Sequence, residues 1–87
     1  MKTFDYTVKD ELGIHARPAG LLVKKITGVR SNVTIAVKAK GTSADAKRLM
    51  AVMKMAVKQG DVVTVTIDGE DEDTVAPQIE QFFKDNF

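Results

Sequence analysis

The stretch Gly13-Ile14-His15-Ala16-Arg17-Pro18 stands where one strand is predicted to end and the first helix to begin. Gly13 is typical of a turn. Pro18 is tolerated only in the first helical turn, where a main-chain N–H has no intrahelical partner to lose. If His15 is the N-cap, Pro18 falls at the third helical position, and the apolar run from Ala19 to Ile26 continues the helix. These residues predict a junction between a strand and a helix at His15.

His15 is the only histidine in the chain, and there is no cysteine. At a helix N-terminus the N–H groups of Ala16 and Arg17 point outward beside the imidazole, and the helix dipole favours an anion there. The Arg17 guanidinium adds a positive charge. An imidazole has an unprotonated nitrogen near neutral pH, so it can accept a phosphoryl group and release it again. The junction is therefore predicted to be a phosphate site that contains its own nucleophile.

The ordinary interpretation of a lone histidine near a helix start is a cap or a surface residue. Here a glycine, an arginine and an early proline all agree on one geometry around His15. That agreement favours a functional role.

Alternation of apolar and polar residues predicts three half-buried strands. Their apolar positions are Phe4, Tyr6 and Val8; Val33, Ile35 and Val37; and Val63, Val65 and Ile67. Gly41 suggests a turn into a short strand near Thr42 and Ser43, which makes four strands in all.

Helical spacing predicts three helices. The first buries Ala19, Leu22, Val23 and Ile26 and ends near Gly28; the second opens at Asp45 or Ala46 and has an apolar stripe of Ala46, Leu49, Met50 and Met53; the third has Val75, Ile79, Phe82 and Phe83 on one side, packed on the sheet. The acidic segment 68–73 is predicted to form a turn and the start of the third helix. With Asp73 or Thr74 as its cap, Pro77 lies in the first turn, whereas an earlier start requires a kink.

The predicted order is strand, helix, strand, strand, helix, strand, helix. Such an order indicates an α+β fold with two layers, an open-faced sandwich in which the helices cover one face of an antiparallel sheet.

The composition of the chain argues against general binding to nucleic acid or to membranes. The chain has 87 residues, with 13 basic and 12 acidic side chains and a net charge of +1. One domain over residues 1–87 is expected, without general attraction to nucleic acid or to membranes. The absence of cysteine is compatible with a cytoplasmic location, and neither a signal peptide nor a membrane-spanning run is expected. The acidic segment lacks the ligand spacing of a calcium loop, so no metal and no cofactor are expected.

At the motif Gly13-Ile14-His15-Ala16-Arg17-Pro18-Ala19 the chain resembles the HPr family, the histidine phosphocarriers of the phosphoenolpyruvate-dependent sugar phosphotransferase system. Residues 47–53 resemble the second helix of that family, and residues 59–67 resemble its last strand. The resemblance covers essentially the whole chain. It implies a four-stranded sheet covered by three helices.

The resemblance also implies a function. His15 would carry the phosphoryl group on Nδ1, Arg17 would act beside it, and the N–H groups of Ala16 and Arg17 would bind the phosphate. Enzyme I would be the donor and a sugar-specific EIIA domain the acceptor. The protein would be a cytoplasmic carrier without independent turnover, expected as a monomer.

A docking surface for these partners is expected on the first two helices. Exposed methionine adapts to several partners, and basic residues steer acidic faces. Gly20 is placed in this surface because a partner may approach there; a neighbouring backbone or simple tolerance explains the glycine equally well. The docking patch consists of Gly20, Lys24, Lys47, Arg48, Leu49, Met50 and Met53.

Three residues depart from the family pattern. Arg48 stands where many HPr proteins carry a regulatory serine, so seryl regulation there should be absent. Ala56 stands where a glycine often follows the second helix, which would lengthen that helix or alter its exit. Leu12 replaces a small polar residue, so one hydrogen bond near the imidazole should be missing.

Two other interpretations compete with a sugar-system carrier. One is a paralogue that uses His15 in another phosphorelay, such as a nitrogen-linked one, or that binds a regulatory protein. The other is an RNA-binding α+β module, which would need exposed aromatic residues on the sheet and a basic platform. Phe4 and Tyr6 follow the inward pattern instead, and no basic stripe exists.

Overall fold

Four strands and three helices follow one another in the predicted order βαββαβα. The computed structural model describes all 87 residues. The strands are β1 (Lys2–Thr7), β2 (Asn32–Val37), β3 (Thr42–Asp45) and β4 (Val62–Asp68). The helices are α1 (Ala16–Ile26), α2 (Leu49–Lys54) and α3 (Glu72–Asn86), with a short 3-10 helix at Lys38–Lys40 before Gly41.

The strands form one antiparallel sheet in the order β1-β4-β2-β3. β4 and β2 are central, and Ile35 lies opposite both Val65 of β4 and Ala44 of β3. This register places the apolar residues of neighbouring strands on one face, because side chains alternate along a strand. The predicted two-layer α+β sandwich is confirmed.

The core fills the space between the sheet and the helices. Phe83 of α3 is fully buried, and its ring meets those of Phe4 and Tyr6 edge to face, with centroids 5.8 Å apart in both pairs. Leu22 and Ile26 of α1 are buried on the same side. Each such side chain contributes about 1.5–3 kcal/mol when it leaves water. The inward orientation predicted for Phe4 and Tyr6 is confirmed.

α2 begins later than predicted. Asp45 is the last residue of β3, and its carboxylate accepts the Lys47 N–H at 2.9 Å. The Ala46 N–H donates to the Val33 carbonyl at 2.8 Å. The predicted opening at Asp45 or Ala46 is therefore wrong, because Asp45 is paired in the sheet and the N–H of Ala46 is bound to β2. A turn follows, and α2 starts at Leu49.

α3 begins earlier than predicted. Asp71 occupies its N-cap position, and Asp71 does not cap the helix with its carboxylate. That carboxylate accepts hydrogen bonds from the Arg30 and Ser31 N–H groups, each at 2.9 Å, and from the Ser31 hydroxyl. Asp71 is thus fixed to the start of β2. Consequently Pro77 lies inside the helix, beyond the first turn, and the helix lacks one main-chain hydrogen bond there.

None of the three helices has both the length and the apolar character needed to cross a lipid bilayer.

Candidate functional site

The loop before α1 is fastened to the segment after α2. Gly13 has φ +66°, and a Cβ at this position would lie 2.1 Å from the Val57 carbonyl oxygen. The Ile14 N–H donates to that same oxygen at 3.1 Å, and the Ile14 side chain is buried. Only glycine fits the position, because it has both a left-handed backbone and no side chain. Gly13 therefore sets the direction in which the chain enters α1.

The other end of this loop is fastened to the end of α3. The Lys9 and Asp10 N–H groups both donate to the main-chain oxygen of Phe87, at 2.7 and 2.9 Å. Phe87 is itself buried, with its ring 5.0 Å from that of Phe83. The loop that carries the site is thus anchored at both ends to the core.

His15 is the N-cap residue of α1, as predicted. Its backbone is extended (φ −106°, ψ 167°), and its side chain makes no capping hydrogen bond. The His15 carbonyl accepts the Ala19 N–H at 3.1 Å. Pro18 is the third helical residue, where it interrupts no hydrogen bond. The imidazole is therefore not used to start the helix.

The N–H groups of Ala16 and Arg17 donate to no protein atom. Both residues are exposed, and the Arg17 guanidinium has no ion pair or hydrogen bond within the chain. Free N–H groups at the positive end of an 11-residue helix favour an anion. The structure brings together His15, Ala16 and Arg17 in the arrangement that the sequence predicts.

A carboxylate that the sequence analysis missed faces the imidazole. Asp10 Oδ2 lies 3.5 Å from His15 Nε2, while Asp10 Oδ1 accepts the Leu12 N–H at 2.9 Å. The two side chains are about one third exposed. An aspartate that accepts the N–H two residues further on is a common turn signal, and this signal could have placed Asp10 in the loop. The Leu12 side chain is 70% exposed.

A shallow cavity of about 280 Å³ opens beside the imidazole. It joins α1 to the end of α3, because Leu21 and Asp85 line it together with Asp10, His15 and Arg17. Sequence reasoning missed Leu21 and Asp85. Leu21 is half exposed and lies off the buried stripe of α1, so its position in the helical period was the available signal.

The docking patch lies on α1, on α2 and on the two residues before α2, and the two helices pack against each other. Met50 is 70% exposed, Leu49 and Met53 are half-buried, and Lys24 and Arg48 are exposed. Met50 therefore lies on the surface, as expected for a residue of the docking patch. Val52 and Met55 are the buried residues of this segment.

Two residues of the patch differ from expectation. No atom outside α1 lies within 4 Å of a Cβ built on Gly20, so the alternative that a neighbouring backbone approaches there is wrong. The Lys47 ammonium donates to the Val29 carbonyl at 2.8 Å. Lys47 thus ties the start of α2 to the chain after α1 and is less free to meet a partner than Lys24 or Arg48.

The chain leaves α2 through a left-handed residue. Ala56 has φ +51° and is the one residue other than glycine with a positive φ. α2 ends at Lys54. Of the two alternatives for Ala56, the longer helix is wrong: the alanine adopts the conformation that glycine favours.

No three carboxylate or histidine side chains come together in a way that could hold a metal ion. Within the 68–73 segment, the Asp71 carboxylate is bound to Ser31 and Arg30, and these hydrogen bonds lower the pKa of Asp71. The turn predicted for this segment is confirmed, and α3 begins within the segment, at Glu72.

This combination of fold and site, an α+β sandwich with a histidine at the free start of a helix, defines a class of phosphoryl-group carriers. The family model described as "PTS HPr component phosphorylation site" matches residues 2–85. The chain belongs to the HPr family, whose members work within the phosphotransferase system.

Similar proteins agree with this assignment. The phosphocarrier protein HPr of Xylella fastidiosa strain Temecula1 is 39% identical over 87 residues, which cover 100% of this chain and 96% of the relative. That of Lysinibacillus sphaericus is 47% identical over 73 residues, covering 84% and 81%.

Solved structures of the family share the fold. A histidine-containing phosphocarrier protein of Mycoplasma matches with a TM-score of 0.89 and 36% identity over 97% of this chain and 93% of its own. An HPr from Thermoanaerobacter tengcongensis, described as a dimer, matches with a TM-score of 0.73 and 28% identity over 98% and 95%.

Proposed function

We propose that this chain, as one HPr domain over residues 1–87, accepts a phosphoryl group on His15 from phosphorylated Enzyme I and passes it to an EIIA domain. One observation carries the proposal. The N–H groups of Ala16 and Arg17 have no acceptor in the chain, and they lie beside the His15 imidazole, which makes no capping hydrogen bond. These donors and the helix dipole can receive phosphoryl oxygens as the negative charge arrives. Family membership supports the same direction of transfer.

His15, Ala16 and Arg17 each contribute to the transfer. His15 forms the bond to phosphorus, and the Ala16 N–H holds a phosphoryl oxygen in place. The Arg17 N–H does the same, and its guanidinium adds a charge that can move with the group because nothing in the chain holds it. Phosphoryl transfer depends mainly on such positioning and electrostatic stabilisation.

The docking patch is proposed as the surface that both partners use in turn. Exposed Met50 and half-buried Leu49 and Met53 offer an adaptable apolar area. Lys24 and Arg48 stand free to steer an acidic partner. Leu21, half exposed in the cavity beside His15, extends this apolar area toward the imidazole.

The test is the intact mass of the protein after incubation with Enzyme I and phosphoenolpyruvate. The parent should gain one acid-labile phosphate, and His15→Ala should gain none. No phosphate on the parent, with the same Enzyme I active on another HPr, would contradict the proposal and favour a carrier that serves a different donor, such as a nitrogen-type relay.

A further inference from the structure

Asp10 is held in place by three hydrogen bonds, two to its main chain and one to its side chain. Its N–H donates to the main-chain oxygen of Phe87, its carbonyl accepts the Gly13 N–H, and Oδ1 accepts the Leu12 N–H, all at 2.9 Å. These contacts use every polar atom of the residue except Oδ2. That remaining oxygen faces His15 Nε2 at 3.5 Å. The carboxylate is therefore aimed at the ring by the loop that carries it.

We infer that Asp10 is a positioning residue for His15, in that its carboxylate keeps the ring proton on Nε2 and leaves the lone pair on Nδ1. This inference rests on the proposed carrier function of His15. A neutral imidazole has one nitrogen that donates and one that accepts, and the partner of one nitrogen decides the state of the other. A carboxylate can only accept, so the nitrogen facing it carries the proton.

The same contact assists the transfer step. The Nδ1 lone pair forms the bond to phosphorus while the bond from phosphorus to the donor breaks, and the donor keeps the electron pair of that bond. The proton stays on Nε2, so the ring gains positive charge as the new bond forms. Asp10 faces that nitrogen, and its attraction to the ring is therefore stronger in the transition state than before it.

The phosphoryl group and the carboxylate use opposite nitrogens of the ring. The incoming charge is met by the Ala16 and Arg17 N–H groups and by the Arg17 guanidinium. Asp85 is the other acid that lines the cavity. Asp10 is distinguished from it by the direct contact with Nε2.

The test is Asp10→Asn in the full chain. The amide oxygen can still accept the Leu12 N–H, so the loop is kept, but the amide nitrogen then faces Nε2 and donates to it. This should move the ring proton to Nδ1 and block the nucleophile. Nitrogen-15 NMR of labelled histidine, at a pH where the ring is neutral, should find the proton on Nε2 in the parent and on Nδ1 in the variant. Phosphoryl transfer from phosphorylated Enzyme I should slow by about tenfold.

Glu11→Gln is the matched control. It removes the same charge from the neighbouring residue, which is exposed and makes no hydrogen bond or ion pair within the chain. Both the proton position and the transfer rate should stay as in the parent. Asp85→Asn should leave the proton on Nε2 as well, since Asp85 does not contact the ring.

A proton on Nδ1 in the parent, or on Nε2 in Asp10→Asn, would overturn the inference, even if transfer became slower. Slower transfer by Glu11→Gln to the same extent would also overturn it, because the effect would then be one of general charge. If Enzyme I failed to phosphorylate the parent, the carrier proposal would fall, and the NMR result would still decide whether Asp10 holds the proton on Nε2.

Discussion

His15 and Arg17 lie two residues apart at the start of α1, but they are constrained very differently. The ring of His15 faces the anchored carboxylate of Asp10 and is about one third exposed. The Arg17 guanidinium is exposed and has no partner in the chain. A fixed nucleophile beside a movable positive charge suits a group that must be received from one protein and given to another.

Arg17→Ala should slow transfer from phosphorylated Enzyme I by about tenfold or more, because the variant loses a charge-assisted contact with the phosphoryl oxygens. Since Arg17 is exposed and its side chain makes no hydrogen bond or ion pair within the chain, the free energy of unfolding should change by less than about 0.5 kcal/mol. Rapid-quench kinetics and urea denaturation measure the two effects. Lys25→Ala, which removes an exposed charge at the other end of α1, is the control and should transfer at the parental rate. Unchanged transfer by Arg17→Ala would remove Arg17 from the mechanism.

Ala56→Gly should stabilise the protein by about 0.5–1 kcal/mol. A left-handed backbone costs an alanine about 1–2 kcal/mol, and the greater freedom of glycine in the unfolded chain offsets part of the gain. Ala51→Gly is the matched control, because the same change within α2 should destabilise by a similar amount. Chemical denaturation compares them, and a loss of stability in both variants would contradict the argument.

At the scale of elements, α2 is the shortest α-helix and has an unfavourable residue at its N-cap. It has only six residues, and its N-cap position holds Arg48, whose side chain makes no capping hydrogen bond. A guanidinium has no acceptor, so it cannot satisfy the free N–H groups of the first turn, and its charge faces the positive end of the helix. α2 is therefore held mainly by the packing of Val52, and of Met55 directly after the helix, in the core.

Arg48→Ser should raise the free energy of unfolding by about 1 kcal/mol, because a serine hydroxyl at the N-cap can accept a free N–H of the first turn. Arg48→Ala serves as the control, since it removes the charge without adding an acceptor and should gain less. Thermal denaturation of the parent, Arg48→Ser and Arg48→Ala measures their relative stabilities. Equal stability of the serine and alanine variants would mean that no cap forms.

The sequence predicts an element well where apolar and polar residues alternate along it. It predicts the start of an element poorly where contacts with distant residues determine that start. Val33, Ile35 and Val37 mark β2 by themselves, and His15 with Pro18 locates the start of α1. The starts of α2 and α3 depend on Ala46 and Asp71, which bind β2 and the residues just before it. Local periodicity carries no information about such partners, so both helix starts were misplaced.

At the scale of the whole molecule, the site is assembled from three distant parts of the chain. The segment after α2 fixes Gly13 and Ile14, and Phe87 at the end of α3 fixes Lys9 and Asp10. His15, Ala16 and Arg17 could be predicted because they are neighbours in sequence. Leu21 and Asp85 come together with them only in the folded chain, and for this reason the cavity could not be predicted.

Acid should loosen this assembly where Asp71 joins α3 to β2. Hydrogen bonds from the Ser31 hydroxyl and from the Arg30 N–H lower the pKa of Asp71 below its ordinary value of about 3.9. A carboxyl whose pKa is lower in the folded state stabilises the protein above its unfolded pKa and loses this effect as the pH falls through the folded pKa. The contribution of Asp71 to stability should therefore be nearly constant above about pH 5 and fall below about pH 4.

Asp71→Asn should be less stable than the parent at pH 7 and should lose less stability on acidification. Urea denaturation between pH 2 and pH 7, scanned in about half-unit steps, measures both effects. Asp73→Asn is the control, because the Asp73 side chain is 82% exposed and pairs only with Lys2 at the surface. A parallel acid profile for the parent and Asp71→Asn would show that another group governs the transition.

The role of His15 as phosphoryl carrier is tested most directly by finding the atom that carries the phosphate. The protein, labelled with nitrogen-15 in histidine, is phosphorylated by Enzyme I and phosphoenolpyruvate and examined by phosphorus and nitrogen NMR at alkaline pH. A coupling between phosphorus and His15 Nδ1 is expected, since Nε2 faces Asp10. Phosphate on Nε2, or on a residue other than His15, would contradict it.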